Sequence, residues 1–413
     1  MKKKKIALFG FGCVGQGLYD IIQQQNDLPF EISKICVKDP NKTRNLPGSV
    51  FTYDKHEIFN DNDIEIIAEA ISDDDEALEI VKLALKHGKK VVSASKKMLA
   101  DNLADLIELE SKSSGVLIYE ASVCGSIPIL RTLQDYYQRS SIDGISGILN
   151  GSSNYILSKI IDEDCSYTTA LREARELGFA ETDPTLDVGG FDASNKLCII
   201  ARHGFHMPLK TKEIFQFGIR HISEHEIAFA QKKGYKIKQV AILQKTKPNR
   251  YLAMVIPAFV DGHHPLYKID NEYNGVILQS EFMGDQLLTG KGAGSHPTGW
   301  AMFSDLLAIT NGYRYNYYNN DPAGSLPDTD FAFNIYLKCT SDMVMIALDF
   351  KLLEDLSPGT AYRFVYGSVK LKDLLKFRSS ENFKTTFITL DLRYLLNKLS
   401  GINEKKGIVK AMV

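Results

Sequence analysis

Strand-length apolar runs and helix-period patterns alternate along the first part of the chain. Ile6-Ala7-Leu8-Phe9 has the length and apolarity of a buried strand. Val14, Leu18, Ile21 and Ile22 follow it on one helix face. The same reading predicts strands over 32–37, 65–71, 91–94 and 116–119, helices over 74–87 and 101–112, and a further helix from about Ser126. Such alternation gives an α/β fold over residues 1–140, a doubly wound parallel sheet of the Rossmann type. Beyond it, a strand over 142–149 runs into the polar turn Asn150-Gly151-Ser152-Ser153-Asn154, and helices are expected over 153–163 and 168–177. Apolar runs over 236–243, 251–259 and 276–281 predict a mixed sheet, so 141–289 reads as an α+β domain. A glycine-rich loop and a helix over 301–309 return the chain to the first domain, which about 290–325 completes. FNIYL, AYRFVYG, TTFITLD and IVKAMV read as strands between helical stretches, giving a small C-terminal α+β unit over 326–413.

Composition sets limits on function. The 413 residues exceed one typical domain, and 44% hydrophobic with 24% charged residues is the balance of a soluble globular protein. A net charge of −2 gives no global attraction to nucleic acid or an anionic membrane. No apolar run reaches the roughly 18 residues of a membrane span, and no signal-peptide pattern opens the chain. The six cysteines show no metal-ligand spacing and are expected as reduced thiols in a cytoplasmic protein. His263-His264, with Asp261 the one acid beside it, is expected to be solvated rather than a metal site.

The candidate chemistry sits at the ends of these elements. Gly10-Phe11-Gly12-Cys13-Val14-Gly15 is a GxGxxG turn between a strand and a helix, the dinucleotide fingerprint in its proper context. Lys38-Asp39-Pro40 ends the second strand, where an acid favours free ribose hydroxyls and a base favours a 2′-phosphate. Ser93-Ala94-Ser95-Lys96 follows a later strand, which places Lys96 toward the nicotinamide end. Glu120 to Pro128 is rich in small residues; it reads equally as a hard-cation site of carbonyls with one carboxylate or as a tight turn. LGFAETDPTLDVGGFDASNKL, at 177–197, holds Glu181, Asp183, Asp187 and Asp192, with Lys196 four residues after Asp192 on the same helix face. That pair reads as a proton-transfer couple or as a helix cap with an ion pair.

Together, GFGCVG, VVSASKKMLA, YEASVCGSIPI, GILNGSSNYIL, LGFAETDPTLDVGGFDASNKL and GKGAGSHPTG resemble the homoserine dehydrogenase family over residues 1 to about 325. The resemblance implies reversible NAD(P)-dependent interconversion of L-homoserine and L-aspartate 4-semialdehyde, in threonine and methionine biosynthesis. It implies Lys196 as catalytic acid/base with Asp192 as partner, Lys96 as a second lysine near the reacting oxygen and nicotinamide, and Glu181 and Asp187 on substrate. It also implies cofactor contacts from Gly10, Phe11, Gly12, Cys13, Val14, Gly15, Lys38, Ser93, Lys96, Gly178, Gly292 and Gly294. Glu120, Val123, Gly125 and Ile127 match a monovalent cation site, usually sodium. The implied assembly is a homodimer built on the 141–289 domain. NADP is expected to be modestly favoured over NAD, since Lys42 and Arg44 follow Lys38.

The chain departs from the family at Cys13, often Thr, at Ser95, often Asn, and at His296. Its tail keeps only the rhythm of an ACT domain: Asp342 is present, but Met343-Val344 stands where effector loops carry Pro-Gly. The rival readings are another NAD(P)-dependent amino-acid or aldehyde dehydrogenase, with no reason to keep both lysines and Glu181, and a non-catalytic dinucleotide sensor, with no need of the Asp192–Lys196 pair.

Overall fold

The computed structural model describes residues 3–138, 142–180, 183–317, 325–357 and 362–407, with side chains to residue 401. The chain opens with β1 (Lys4–Phe9), α1 (Cys13–Gln24), β2 (Phe30–Cys36), β3 (Phe51–Thr52), α2 (Lys55–Phe59), β4 (Ile64–Glu69), α3 (Asp74–Lys86), β5 (Lys90–Ser93), α4 (Lys96–Ser111), β6 (Val116–Ile118) and the short α5 (Ile129–Arg131). Its six strands form a parallel sheet in the order β3-β2-β1-β4-β5-β6, the expected Rossmann-type arrangement. The order reverses between β1 and β4, so the ligand crevice of such a sheet opens at their carboxyl ends. Ile6, Ala7 and Leu8 of β1 and Ile66, Ile67 and Ala68 of β4 are fully buried, as central strands covered on both faces must be.

Local sequence explains the helices. Asp73 caps α3 by accepting from the Glu76 N–H at 3.2 Å, and Asp74, Asp75 and Glu76 fill its first turn, favourable at the positive end of the helix dipole. Ala77, Ile80, Val81 and Ala84 bury one face. α4 starts at Lys96 rather than 101, because Met98 and Leu99 bury on the same face as Leu103 and Leu106. Lys96 is therefore the first residue of a helix.

The chain continues through β7 (Ile142–Ile148), α6 (Gly151–Glu163), α7 (Tyr167–Glu176), α8 (Thr185–Val188), α9 (Phe191–Gly204), β8 (Phe215–Gln216), α10 (Glu224–Lys233), β9 (Lys236–Lys247), β10 (Arg250–Val260), β11 (Tyr273–Ser280), β12 (Gly284–Lys291) and α11 (Ser295–Thr310). The tail adds β13 (Leu326–Pro327), β14 (Ala332–Cys339), α12 (Asp342–Ala347), β15 (Lys351–Asp355), β16 (Arg363–Lys370), α13 (Leu371–Phe377), β17 (Phe387–Asp391) and α14 (Leu392–Gly407). A mixed sheet of 11 strands runs β12-β11-β7-β9-β10-β17-β14-β16-β15, with β8 and β13 on β10.

Two compact units result: residues 1–140, 198–211 and 290–320, and residues 141–197, 212–289 and 321–413. The tail, expected as a unit of its own over 326–413, groups with the second. β17 pairs with β10 through Ala258↔Leu390 and Phe259↔Asp391, and Phe333, Ile335 and Leu337 share one apolar cluster with Leu252, Met254 and Ile256. The expected strand IVKAMV lies outside the described residues. Among those described, no helix is long and apolar enough to cross a membrane. All six cysteines are free thiols. His264, expected to be solvated, is half-buried, and its ring nitrogen accepts from the Leu266 N–H at 3.1 Å.

Candidate active site

The expected site residues are spread over both units. In the first, β1 enters the glycine turn at Gly10 with φ +92°, where a Cβ would come within 2.5 Å of the Ala70 carbonyl oxygen. That position accepts only glycine. Gly12 faces open space and caps α1 with no side-chain bond, and no acid occupies the first turn. The first-turn N–H groups therefore remain for an anion, and the turn fits a dinucleotide pyrophosphate. Cys13 is exposed at the head of α1, and Val14 is half-buried behind it. The Cys13 carbonyl accepts from Ser295 Oγ at 2.7 Å, tying the turn to the start of α11, where Gly294 holds φ +121°. Phe11 rests edge-on against Phe51 and Tyr19, with ring centroids 5.6 and 5.7 Å away.

At the end of β2, the Lys38 side chain is 95% exposed, its amine 3.8 Å from Asp73. Asp39 spends a carboxylate oxygen on the Asn41 N–H at 2.8 Å. Arg44 donates to the carbonyls of Asp39 and Lys42, with its guanidinium 5.3 Å over the Phe51 ring. At the end of β5, Ser93, expected at the cofactor, is fully buried and turns its hydroxyl inward to Glu69 at 2.5 Å. Lys96 is exposed.

The loop after β6 turns through Cys124 and Gly125, both left-handed at φ +55° and +56°. It packs on the glycine-rich loop before α11: a Cβ at Gly125 would come within 2.7 Å of the Gly292 backbone, and the Ser126 N–H donates to the Lys291 carbonyl at 3.0 Å. The Glu120 carboxylate accepts from the Leu130 and Arg131 N–H groups, each at 2.8 Å, so it holds the start of α5 instead of facing a cation. Burial, with the nearby Asp305 charge adding to it, pushes its carboxyl up to about 8. Among the described residues no cluster of three or more His, Cys, Asp or Glu side chains could hold a metal. A cation in this loop would rest on the carbonyls of Glu120, Val123, Gly125 and Ile127, donors that suit a monovalent ion.

In the second unit, α9 begins at Phe191, which puts Asp192 in its first turn. Lys196 is 4% exposed; its Nζ lies 2.9 Å from Asp192 Oδ2 and donates to the Leu149 carbonyl at 2.7 Å. Asn150 Nδ2 donates to Asp192 at 2.9 Å and to Asp187 at 2.8 Å, while its Oδ1 caps α6 by accepting the Ser153 N–H at 2.7 Å. Asn274 Nδ2 donates to the same Leu149 carbonyl at 3.1 Å. The Asp187–Asp192–Lys196 grouping was legible in the sequence. Asn150 and Asn274 were not read as site residues; Asn150 showed itself only as the polar residue ending an apolar strand. Gly178, at φ +77°, ends α7. Glu181 lies outside the described residues. A buried lysine–carboxylate pair adds little stability, since apolar residues of similar volume commonly serve as well. The arrangement fixes the Lys196 amine between two acceptors, a geometry that can serve proton transfer.

The known proteins that the chain resembles point to one family. A family model described as homoserine dehydrogenase, NAD binding domain, matches residues 10–120, and one described as homoserine dehydrogenase matches 128–307. The chain is 37% identical to homoserine dehydrogenase of Bacillus subtilis (strain 168), over 78% of this chain and 77% of that protein. It is 35% identical to that of Lactococcus lactis subsp. lactis, over 74% and 73%. Among solved structures, a homoserine dehydrogenase from Thiobacillus denitrificans superposes with a TM-score of 0.82 at 25% identity, covering 95% of this chain and 99% of that one. A hyperthermophilic archaeal homoserine dehydrogenase in complex with NADPH gives 0.66 at 25% identity, over 76% and 99%.

Proposed function

The chain belongs to the homoserine dehydrogenase family, an NAD(P)-dependent oxidoreductase acting on a CH–OH group, and from that premise we propose how its own residues divide the work. Bound NAD(P) supplies the hydride acceptor in homoserine oxidation and the hydride donor in aldehyde reduction. The glycine turn Gly10 to Gly15 holds the pyrophosphate, with Phe11, Cys13 and Val14 around it and Gly292 and Gly294 in the adjoining loop. Gly178 and Ser93 act on the cofactor through backbone placement. NADP is modestly preferred, with Lys38 answering the 2′-phosphate.

Lys196 carries the proton. In oxidation its amine takes the hydroxyl proton of homoserine; in reduction its ammonium returns a proton to the oxygen. Asp192 holds that amine in place. Lys96 stabilises negative charge on the reacting oxygen, and Glu181 and Asp187 bind the substrate ammonium. The buried contact of Lys196 with Asp192 and the Leu149 carbonyl is the observation that carries this reading. Carbonyls of Glu120, Val123, Gly125 and Ile127 hold a monovalent cation, in keeping with sodium. The enzyme works as a homodimer in the cytoplasm, on a small-molecule substrate and without nucleic acid or membrane.

A spectrophotometric assay of nicotinamide reduction with homoserine and NADP tests the assignment, and repeating it with sodium replaced by a larger cation tests the loop. Turnover of homoserine with sodium-dependent rate is expected; no turnover of homoserine overturns the proton-transfer assignment. Light scattering in solution reads the dimer.

A further inference from the structure

Glu69 ends β4 beside Phe9 of β1, where the strand order reverses, and it is fully buried. A buried carboxylate is costly unless donors surround it. Glu69 has three: the Ile71 N–H and Ser95 Oγ, each at 2.8 Å on one oxygen, and Ser93 Oγ at 2.5 Å on the other. The backbone closes the same clamp. The Ala94 N–H donates to the Glu69 carbonyl at 3.0 Å, and the Ser95 N–H donates to Ser93 Oγ at 3.2 Å. Burial raises the Glu69 carboxyl above its ordinary range, while the three donors pull it back.

The detail that points beyond folding is Ser95. It is the N-cap of α4, yet its side chain makes no cap bond. A serine there commonly accepts a first-turn N–H, worth about 1 kcal/mol. This one gives that up and turns its hydroxyl back to Glu69. The start of α4 is thus set by the end of β4 instead of by its own cap, and the residue so placed is Lys96.

We propose that Glu69 is a positioning residue: through Ser93 and Ser95 it fixes the turn that presents Lys96 at the carboxyl edge of the sheet. The inference rests on the reading that Lys96 works at the reacting oxygen. A misplacement of about 1 Å in such a group can lower turnover roughly a hundredfold. If Glu69 served the fold alone, its replacement would lower stability and leave turnover per folded molecule unchanged.

Three full-length variants test it: Glu69→Ala, Ser95→Ala and Glu69→Gln. The glutamine keeps an oxygen for Ile71 and Ser95 and offers an N–H to Ser93 Oγ. NADP affinity is read by direct titration without substrate, and kcat and KM are read in the homoserine assay. Glu69→Ala and Ser95→Ala are expected to lower kcat by roughly 10–100-fold and NADP affinity by a smaller factor, because the same turn carries Ser93, and Glu69→Gln to recover most of both losses. Should Glu69→Ala fail to fold, Ser95→Ala, which removes one arm only, carries the comparison. Unchanged kcat in Ser95→Ala, or a glutamine variant as impaired as a folded alanine one, overturns the proposal. A parent enzyme that does not oxidise homoserine overturns the proposed function instead, and is seen before any variant is made.

Discussion

Asn150 Nδ2 donates at 2.9 Å to the same Asp192 oxygen that lies 2.9 Å from the Lys196 amine. One carboxylate oxygen therefore serves both the amide and the amine. The carbonyl of Leu149, the residue just before Asn150, takes a second N–H of the lysine at 2.7 Å. The amine is thus held from α9 and from the β7–α6 turn at once.

Replacing Lys196 with alanine should lower kcat by roughly 10²–10⁴, the usual share of general acid–base catalysis, while NADP binding persists. Steady-state kinetics with a parallel binding titration checks this, and near-parental turnover would remove Lys196 from the mechanism.

Asn150→Ala should act through Asp192. It removes the α6 cap, worth about 1 kcal/mol, and the donor shared by two carboxylates, so kcat is expected to fall at least about tenfold. In a cycle with Asp192→Asn the two effects should be non-additive, because both disturb one hydrogen-bonded group. Additive losses would show that Asn150 matters only to stability.

These residues also show what the sequence makes legible. Asp192 and Lys196 are four apart on one helix, so their contact follows from helical period alone. The glycine turn and the strand alternation are equally local. Asn150 reaches Asp192 across 42 positions and Glu69 reaches Ser95 across 26, contacts made by sheet order and helix docking that no spacing rule encodes. The partners of the Glu120 carboxylate were hidden for a related reason: the chain folds back to put the start of α5 against it. The early start of α4 was hidden because no Gly or Pro separates it from β5.

Cofactor choice should favour NADPH over NADH by a small factor in kcat/KM. Asp39, the acid that would favour a free ribose hydroxyl, is turned to Asn41, while Lys38 is exposed and Arg44 is anchored nearby by two carbonyls. Lys38→Ala should lower kcat/KM for NADPH and spare NADH. A strong parental preference for NADH would mean that Asp39 reads the ribose after all.

Acid should destabilise the protein through His203. Its Nε2 meets the Tyr119 hydroxyl at 2.9 Å, which in turn meets the Tyr317 hydroxyl at 2.7 Å, and burial, aided by the charges of Arg202 and His206, pulls the imidazole down to about 3. The folded state keeps this histidine neutral, whereas the unfolded chain protonates it below its ordinary 6.5. Its contribution is therefore intact above pH 6.5 and is lost as the pH falls toward 3, by up to about 1.4 kcal/mol per pH unit. Denaturant unfolding across this range should show a steeper acid slope for the parent than for His203→Phe. Equal slopes would refute the assignment.

Threonine should inhibit this enzyme weakly or not at all. An effector carboxylate needs free backbone N–H groups and close approach at the β14–α12 join, which a glycine would allow. Here Ser341 caps α12, and its hydroxyl already accepts from the Met343 N–H at 3.2 Å. The Asp342 carboxylate, the group that would meet an effector ammonium, is paired with Arg363 at 3.0 Å. Met343, 62% exposed, stands over the same stretch. Both halves of an amino-acid site are thus engaged by the chain itself, and β14, β16 and β17 remain as an extension of the second sheet. Threonine is titrated into the aldehyde-reduction assay, and a flat response is expected. Strong inhibition at threonine well below the substrate concentration would show that an effector site exists elsewhere in the tail.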